Sequence, residues 1–137
     1  MLRANPASAR LLLCGFPMMK KKILVIEDFP RVREVLEIFL AKAGYSVFAA
    51  SNGKDGIELA QREKPDLVLI DYKLQDLDGM DVLRSVRVFE KEAKIFVISG
   101  LYAEDLEKEA LDNGATGFLS KSLGIEAIVK AACDALV

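Results

Sequence analysis

Apolar residues follow two rhythms along this chain. Ile23, Leu24, Val25 and Ile26 form an unbroken run, as do Leu67, Val68, Leu69 and Ile70, and again Ile95, Phe96, Val97 and Ile98. Runs this short suit strands buried on both faces better than helices. Residues 46–50 and 116–119 read as two more strands. The segments between them have helical spacing. Residues 30–43 carry apolar side chains at 32, 35, 36, 39, 40 and 43, which share one helical face. Pro30 fits a first turn and Gly44 a C-terminal stop. Residues 53–62 read as a short helix ended by Lys64 and Pro65. Residues 79–89 turn Met80, Leu83 and Val86 inward. Residues 103–113 stop at Gly114, and residues 123–136 repeat apolar positions at 125, 128, 129, 132, 133 and 136.

The alternation of strand and helix occurs five times. It predicts an α/β fold: a doubly wound (βα)5 sandwich in which a parallel five-stranded sheet carries helices on both faces. A chain of 137 residues has room for one such domain. We assign it to residues 22–137. Residues 1–21 look foreign to it and are expected to be a flexible extension or the product of a mis-assigned start, with Met18 or Met19 as the natural beginning. An export signal fits this leader poorly, because its apolar patch is short and interrupted by Gly15 and Pro17.

Composition narrows the chemistry. The chain has no His, which excludes a Ser-His-Asp triad and His-based acid–base work. Its two Cys, Cys14 and Cys133, can form neither a four-thiolate zinc site nor a disulfide framework, so a cytoplasmic location is expected. No apolar stretch approaches the ~20 residues of a membrane span. The net charge is −2; residues 1–22 carry Arg3, Arg10, Lys20, Lys21 and Lys22 and no acid, +5, leaving −7 on the remaining 115. An acidic body argues against direct nucleic-acid binding.

The polar residues share a position. Strand 1 runs into Glu27 and Asp28, strand 3 into Asp71, strand 4 into Ser99 and strand 5 into Lys121. Taken singly, each has a bland explanation. An Asp after a strand commonly forms a turn or caps a helix, Ser99-Gly100 is an ordinary turn signal, and Lys121 an ordinary surface lysine. Those explanations give no reason for a common register. In an open parallel sheet, ligands bind outside the carboxyl ends of the strands. If the strand order is 2-1-3-4-5, these five residues meet in one pocket. Three close carboxylates then call for a cation, and oxygen ligands without Cys or His select Mg²⁺, with Mn²⁺ or Ca²⁺ as alternatives. A carboxylate nucleophile beside a divalent ion, a hydroxyl and a lysine is equipped to accept a phosphoryl group.

With these residues in place, residues 22–137 resemble the response-regulator receiver domains of two-component signalling, in particular the stand-alone, chemotaxis-regulator type. The resemblance rests on the stretch 22–28 ending in Glu27-Asp28, on Asp66 to Asp71 continuing through Leu74-Gln75-Asp76-Leu77-Asp78-Gly79, and on Ile98-Ser99-Gly100, Gly114-Ala115 and Phe118-Leu119-Ser120-Lys121. It implies a flavodoxin-like sheet in the order 2-1-3-4-5. It also implies a signalling phosphoacceptor rather than an enzyme, one that promotes only its own phosphorylation and slow dephosphorylation. Asp71 would be the acceptor. Glu27, Asp28, Asp71 and the backbone carbonyl of Lys73 would hold Mg²⁺. Ser99 and Lys121 would contact the phosphoryl group, Gly100 would leave access to it, and Ser99 and Phe118 would form a switch. The partners implied are a histidine kinase or phosphotransfer protein and an unidentified downstream protein, with Leu101 and Tyr102 as contact residues.

Two positions depart from the family pattern. Ser122 stands where the family usually has Pro after the Lys, often with a cis bond. A cis bond before a non-proline residue costs ~3–4 kcal/mol, so the Lys121–Ser122 bond or its loop is expected to differ. Gln75 replaces a common Pro and is expected to loosen the loop after Asp71. A receiver-like interaction module that is never phosphorylated remains the alternative. A haloacid-dehalogenase-type phosphatase fits poorly, because Asp71-Tyr72-Lys73 lacks the second Asp that such chemistry needs. A flavin-binding domain fits poorly too, because Glu27-Asp28 would repel the flavin phosphate.

Overall fold

A computed structural model describes residues 20–100 and 103–137. The elements in chain order are β1 (Lys22–Ile26), α1 (Pro30–Lys42), β2 (Ser46–Ala50), α2 (Gly53–Glu63), β3 (Leu67–Asp71), α3 (Gly79–Phe89), β4 (Lys94–Ser99), α4 (Glu104–Asp112), β5 (Gly117–Ser120) and α5 (Ile125–Ala135). A 3₁₀ turn, Lys121–Leu123, joins β5 to α5. The strands form one parallel sheet in the order β2-β1-β3-β4-β5. This is the predicted fold. Residues 1–19 of the expected leader 1–21, and the expected contact residues Leu101 and Tyr102, lie outside the described residues.

Side chains alternate across a strand, so each apolar run feeds two cores. Leu24, Ile26, Val68, Ile70, Ile95 and Val97 face Met80, Leu83 and Val86 of α3 and Ala110 of α4. Ile23, Val25, Leu67, Leu69, Phe96 and Ile98 face Leu36 and Leu40 of α1 and Ile128 and Ala132 of α5. Burial on both faces explains why these strands read as unbroken apolar runs.

The last helix begins two residues later than expected, at the first residue of its apolar period. Residues 123–136 were expected to form one helix, but Gly124 has φ +92° and breaks the path, so α5 starts at Ile125. β3 and β4 each run beyond the predicted apolar segment and take in Asp71 and Ser99. Both polar side chains are therefore mounted on the sheet itself.

The crossing from β3 into α3 depends on Gly79. A Cβ there would lie 2.6 Å from the Asp71 carbonyl oxygen and 2.7 Å from Tyr72 Cα. Its N–H donates to the Tyr72 carbonyl at 2.8 Å. Backbone cannot yield as a flexible side chain can, so Gly79→Ala is expected to lose about 2–3 kcal/mol of stability in urea denaturation. An unchanged midpoint would show that α3 can slide to make room.

Candidate functional site

Four strand ends meet over one cleft. β1 delivers Glu27 and Asp28, β3 ends in Asp71, β4 ends in Ser99, and Lys121 follows β5. Register brings them level: Asp71 pairs with Ile98, next to Ser99, and Ser99 pairs with Ser120, next to Lys121. The cleft encloses about 470 Å³ and is lined by these five residues with Phe29, Tyr72, Lys73 and Gly100.

Glu27, Asp71 and Ser99 are 1%, 5% and 3% exposed, an unusual depth for two carboxylates. Carboxylate oxygens of Glu27, Asp28 and Asp71 all lie within 4.8 Å of one another. The Lys121 ammonium sits 3.0 Å from Glu27 Oε1 and 3.3 Å from Asp71 Oδ2. Burial, reinforced by the neighbouring Glu27 carboxylate, pushes the Asp71 carboxyl up to about 6, against the pull of Lys121. Burial alone would lower the Lys121 ammonium, but Glu27 and Asp71 outweigh it and raise its pKa.

The loops are fixed by main-chain groups. Arg33, one turn into α1, donates from Nη1 to the Glu27 carbonyl at 2.9 Å and the Asp28 carbonyl at 3.4 Å. The Phe29 N–H donates to Glu27 Oε2 at 3.2 Å, and the Lys73 N–H to Asp71 Oδ1 at 3.4 Å. Sequence reasoning missed Arg33. It flanks an apolar face, and its bonds to carbonyls leave no trace in residue spacing.

Gly100 has open space where a side chain would extend. Phe118 lies away from the cleft opening, 8% exposed, in the core that also holds Val97 and Ala110. Among the described residues no peptide bond is cis. The Lys121–Ser122 bond is trans, and the Ser122 N–H, which proline would lack, donates to Ser120 Oγ at 3.2 Å. The two Ser hydroxyls are 2.7 Å apart. The loop with Gln75 carries contacts at both ends. Lys73 and Asp78 form a bridge across it, and Asp78 caps α3 by accepting from the Met80 N–H at 2.8 Å.

The donor set suits a hard divalent cation. It offers three clustered carboxylates and no sulfur or imidazole, and Glu27 Oε1 is buried with the Lys121 ammonium 3.0 Å away and no other hydrogen-bond donor among the described residues. No helix among the described residues is long and apolar enough to cross a membrane.

Known proteins resemble this chain. The chain is 31% identical over 111 residues to sporulation initiation phosphotransferase F of Bacillus subtilis, covering 81% of this chain and 90% of the relative. It is 31% identical over 114 residues to the chemotaxis protein CheY of Thermotoga maritima, covering 82% of this chain and 95% of the relative. A response regulator from Burkholderia pseudomallei, solved with a phosphorylated aspartic acid, a calcium ion and citrate, superposes with a TM-score of 0.75 at 28% identity, over 80% of this chain and 64% of that one. Residues 23–133 match the response regulator receiver domain family as a whole. An acidic cleft at the carboxyl edge of a 2-1-3-4-5 sheet, together with that match, makes the chain a member of the response regulator receiver domain family of two-component systems.

Proposed function

We propose that this receiver accepts a phosphoryl group on Asp71 from the phosphohistidine of a histidine kinase or phosphotransfer protein, and passes the signal on by protein contact. The observation that carries the reading is the meeting of Asp71 with Glu27, Asp28, Ser99 and Lys121 in one open cleft. Glu27, Asp28, Asp71 and the Lys73 carbonyl would hold Mg²⁺. A cation bound there would neutralise charge on the phosphoryl oxygens.

The chain's own groups do the rest. An Asp71 carboxylate oxygen attacks phosphorus in line; its bond to phosphorus forms as the bond to the donor's imidazole nitrogen breaks. The attack needs no general base, because the nucleophile acts as the carboxylate. Lys121, already within ion-pair reach of Asp71, neutralises phosphoryl charge, and Ser99 donates a hydrogen bond. Drawing Ser99 toward the new group opens room for Phe118, and that shift biases the α4–β5–α5 surface between two states. Phe29, 64% exposed at the cleft rim, gives a donor protein an apolar foothold on the cleft that holds Asp71. The Burkholderia relative, with its phosphorylated aspartic acid, supports the chemistry.

Intact-mass measurement after incubation with Mg²⁺ and a small phosphodonor tests this. One phosphoryl adduct on the unchanged protein and none on Asp71→Asn is expected. An adduct on both would move the acceptor elsewhere. No adduct, with no metal binding by titration, would favour a receiver-like interaction module that is not phosphorylated.

A further inference from the structure

Asp76 belongs to none of the groups that meet in the cleft, yet both of its carboxylate oxygens are engaged. Oδ1 accepts from the Gly53 N–H at 2.8 Å and Oδ2 from the Lys54 N–H at 2.9 Å. These are the first two residues of α2, whose N–H groups have no partner within the helix. The helix has its own cap as well: Asn52 Oδ1 accepts from the Asp55 N–H at 2.8 Å. Asp76 is thus a second cap, supplied from the far side of the loop between β3 and α3. An apolar contact runs beside it. Gly53 sits so close to Leu77 that an added Cβ would fall 3.0 Å from Leu77 Cβ. Partial burial would push the Asp76 carboxyl up, but the N–H groups of Gly53, Lys54, Asp76 and Leu77 outweigh that and hold it below the usual carboxylate range.

The loop so gripped is the one that carries Lys73. Its inner end is fixed by the Lys73 N–H on Asp71 Oδ1 and by the Lys73–Asp78 bridge. Its outer tip is fixed by Asp76 on α2, and α2 packs against β1 closely enough that a Cβ on Gly56 would strike Ile26 at 2.5 Å. We infer that Asp76 is a positioning residue for the cation site, anchoring the Asp71–Asp78 loop to α2 so that the Lys73 carbonyl is held toward the acidic cluster. The tie does the work that a rigid residue at position 75 would otherwise do. The inference rests on the reading of the cleft given above as a divalent-cation site.

The test compares two caps on the same helix. Asn52→Ala removes the helix's own cap and leaves the loop untouched, whereas Asp76→Ala removes the tie. Both are expected to lower the melting temperature by a similar few degrees. Mg²⁺ affinity, measured by calorimetric titration without any phosphodonor, should separate them. Asp76→Ala should weaken binding on the order of tenfold, the usual scale for a residue that orients a metal ligand. Asn52→Ala should leave it unchanged. Asp76→Asn keeps one of the two acceptors and should fall between, which preserves the test if the alanine variant folds poorly. Equal Mg²⁺ affinity in Asp76→Ala and the unchanged protein, or equal weakening in both cap variants, would overturn the inference. Absence of Mg²⁺ binding by the unchanged protein would overturn instead the reading of the cleft on which it rests.

Discussion

In EDTA at neutral pH, Asp71→Asn should unfold at a higher temperature than the unchanged protein. Asp71 is 5% exposed, beside a second buried carboxylate, and its carboxyl is pushed up to about 6. In the unfolded chain the value is about 3.9. Between those values the native state holds a proton that the unfolded state has released. The native state is therefore favoured at low pH, and that advantage is lost as pH rises through 6. The gap corresponds to roughly 3 kcal/mol, which solvent in the open cleft reduces to about 1–2 kcal/mol. Asparagine matches the shape of aspartate, so the substitution leaves no hole. The melting temperature of the unchanged protein should fall between pH 4 and pH 6 relative to Asp71→Asn, and saturating Mg²⁺ should narrow the difference at neutral pH. A variant that melts below the unchanged protein at pH 7.5 in EDTA would contradict this account.

The larger loss is expected for Lys121→Met. Lys121 pairs with Glu27 at 3.0 Å and with Asp71 at 3.3 Å, and both acids are almost fully buried. Removing one partner of a buried ion pair costs about 3–5 kcal/mol, because the other charge is stranded. The Lys121 side chain is 28% exposed, which brings the figure to about 2–3 kcal/mol in urea denaturation at pH 7.5. The loss should shrink at pH 5, where protonation of Asp71 removes one of the two stranded charges. It should also shrink by at least about 1 kcal/mol in an Asp71→Asn background, since neighbours in one charge network do not behave additively. The same loss at both pH values and in both backgrounds would mean that Lys121 acts through packing alone.

Much of this architecture is written plainly in the chain. Strands buried on both faces cannot hide, and Val68 and Ile70, with Leu67 and Leu69 opposite, gave the strand, while its central place came from the order that the family resemblance implied. The polar residue that ends each run was legible for the same reason. Once the strands are aligned, their carboxyl ends fall level, and Glu27, Asp28, Asp71, Ser99 and Lys121 line one cleft. The start of α5 was misread because Leu123 was taken into the helix although it lies off the apolar face that begins at Ile125, and Gly124, with its positive φ, separates the two. The grip of Arg33 on the first loop and of Asp76 on α2 was illegible. Each links a side chain to a main-chain group, in the second case 22 and 23 residues away, and such bonds impose no period on the sequence. Gln75 was expected to slacken its loop, because a missing proline is visible in a sequence whereas a substitute restraint through Asp76 is not.

Arg33 holds the first acidic loop by the carbonyls of Glu27 and Asp28, not by their carboxylates. At Asp28 the main chain is thereby held independently of the side chain it presents, whereas the Glu27 carboxylate also takes the Phe29 N–H. On the proposed reading of the cleft as a cation site, exchanging Asp28 for another oxygen donor would alter which ions bind and how tightly, while Arg33 kept its hold on the main chain. A lineage built on such a mount can retune its ion preference one side chain at a time without first rebuilding the frame.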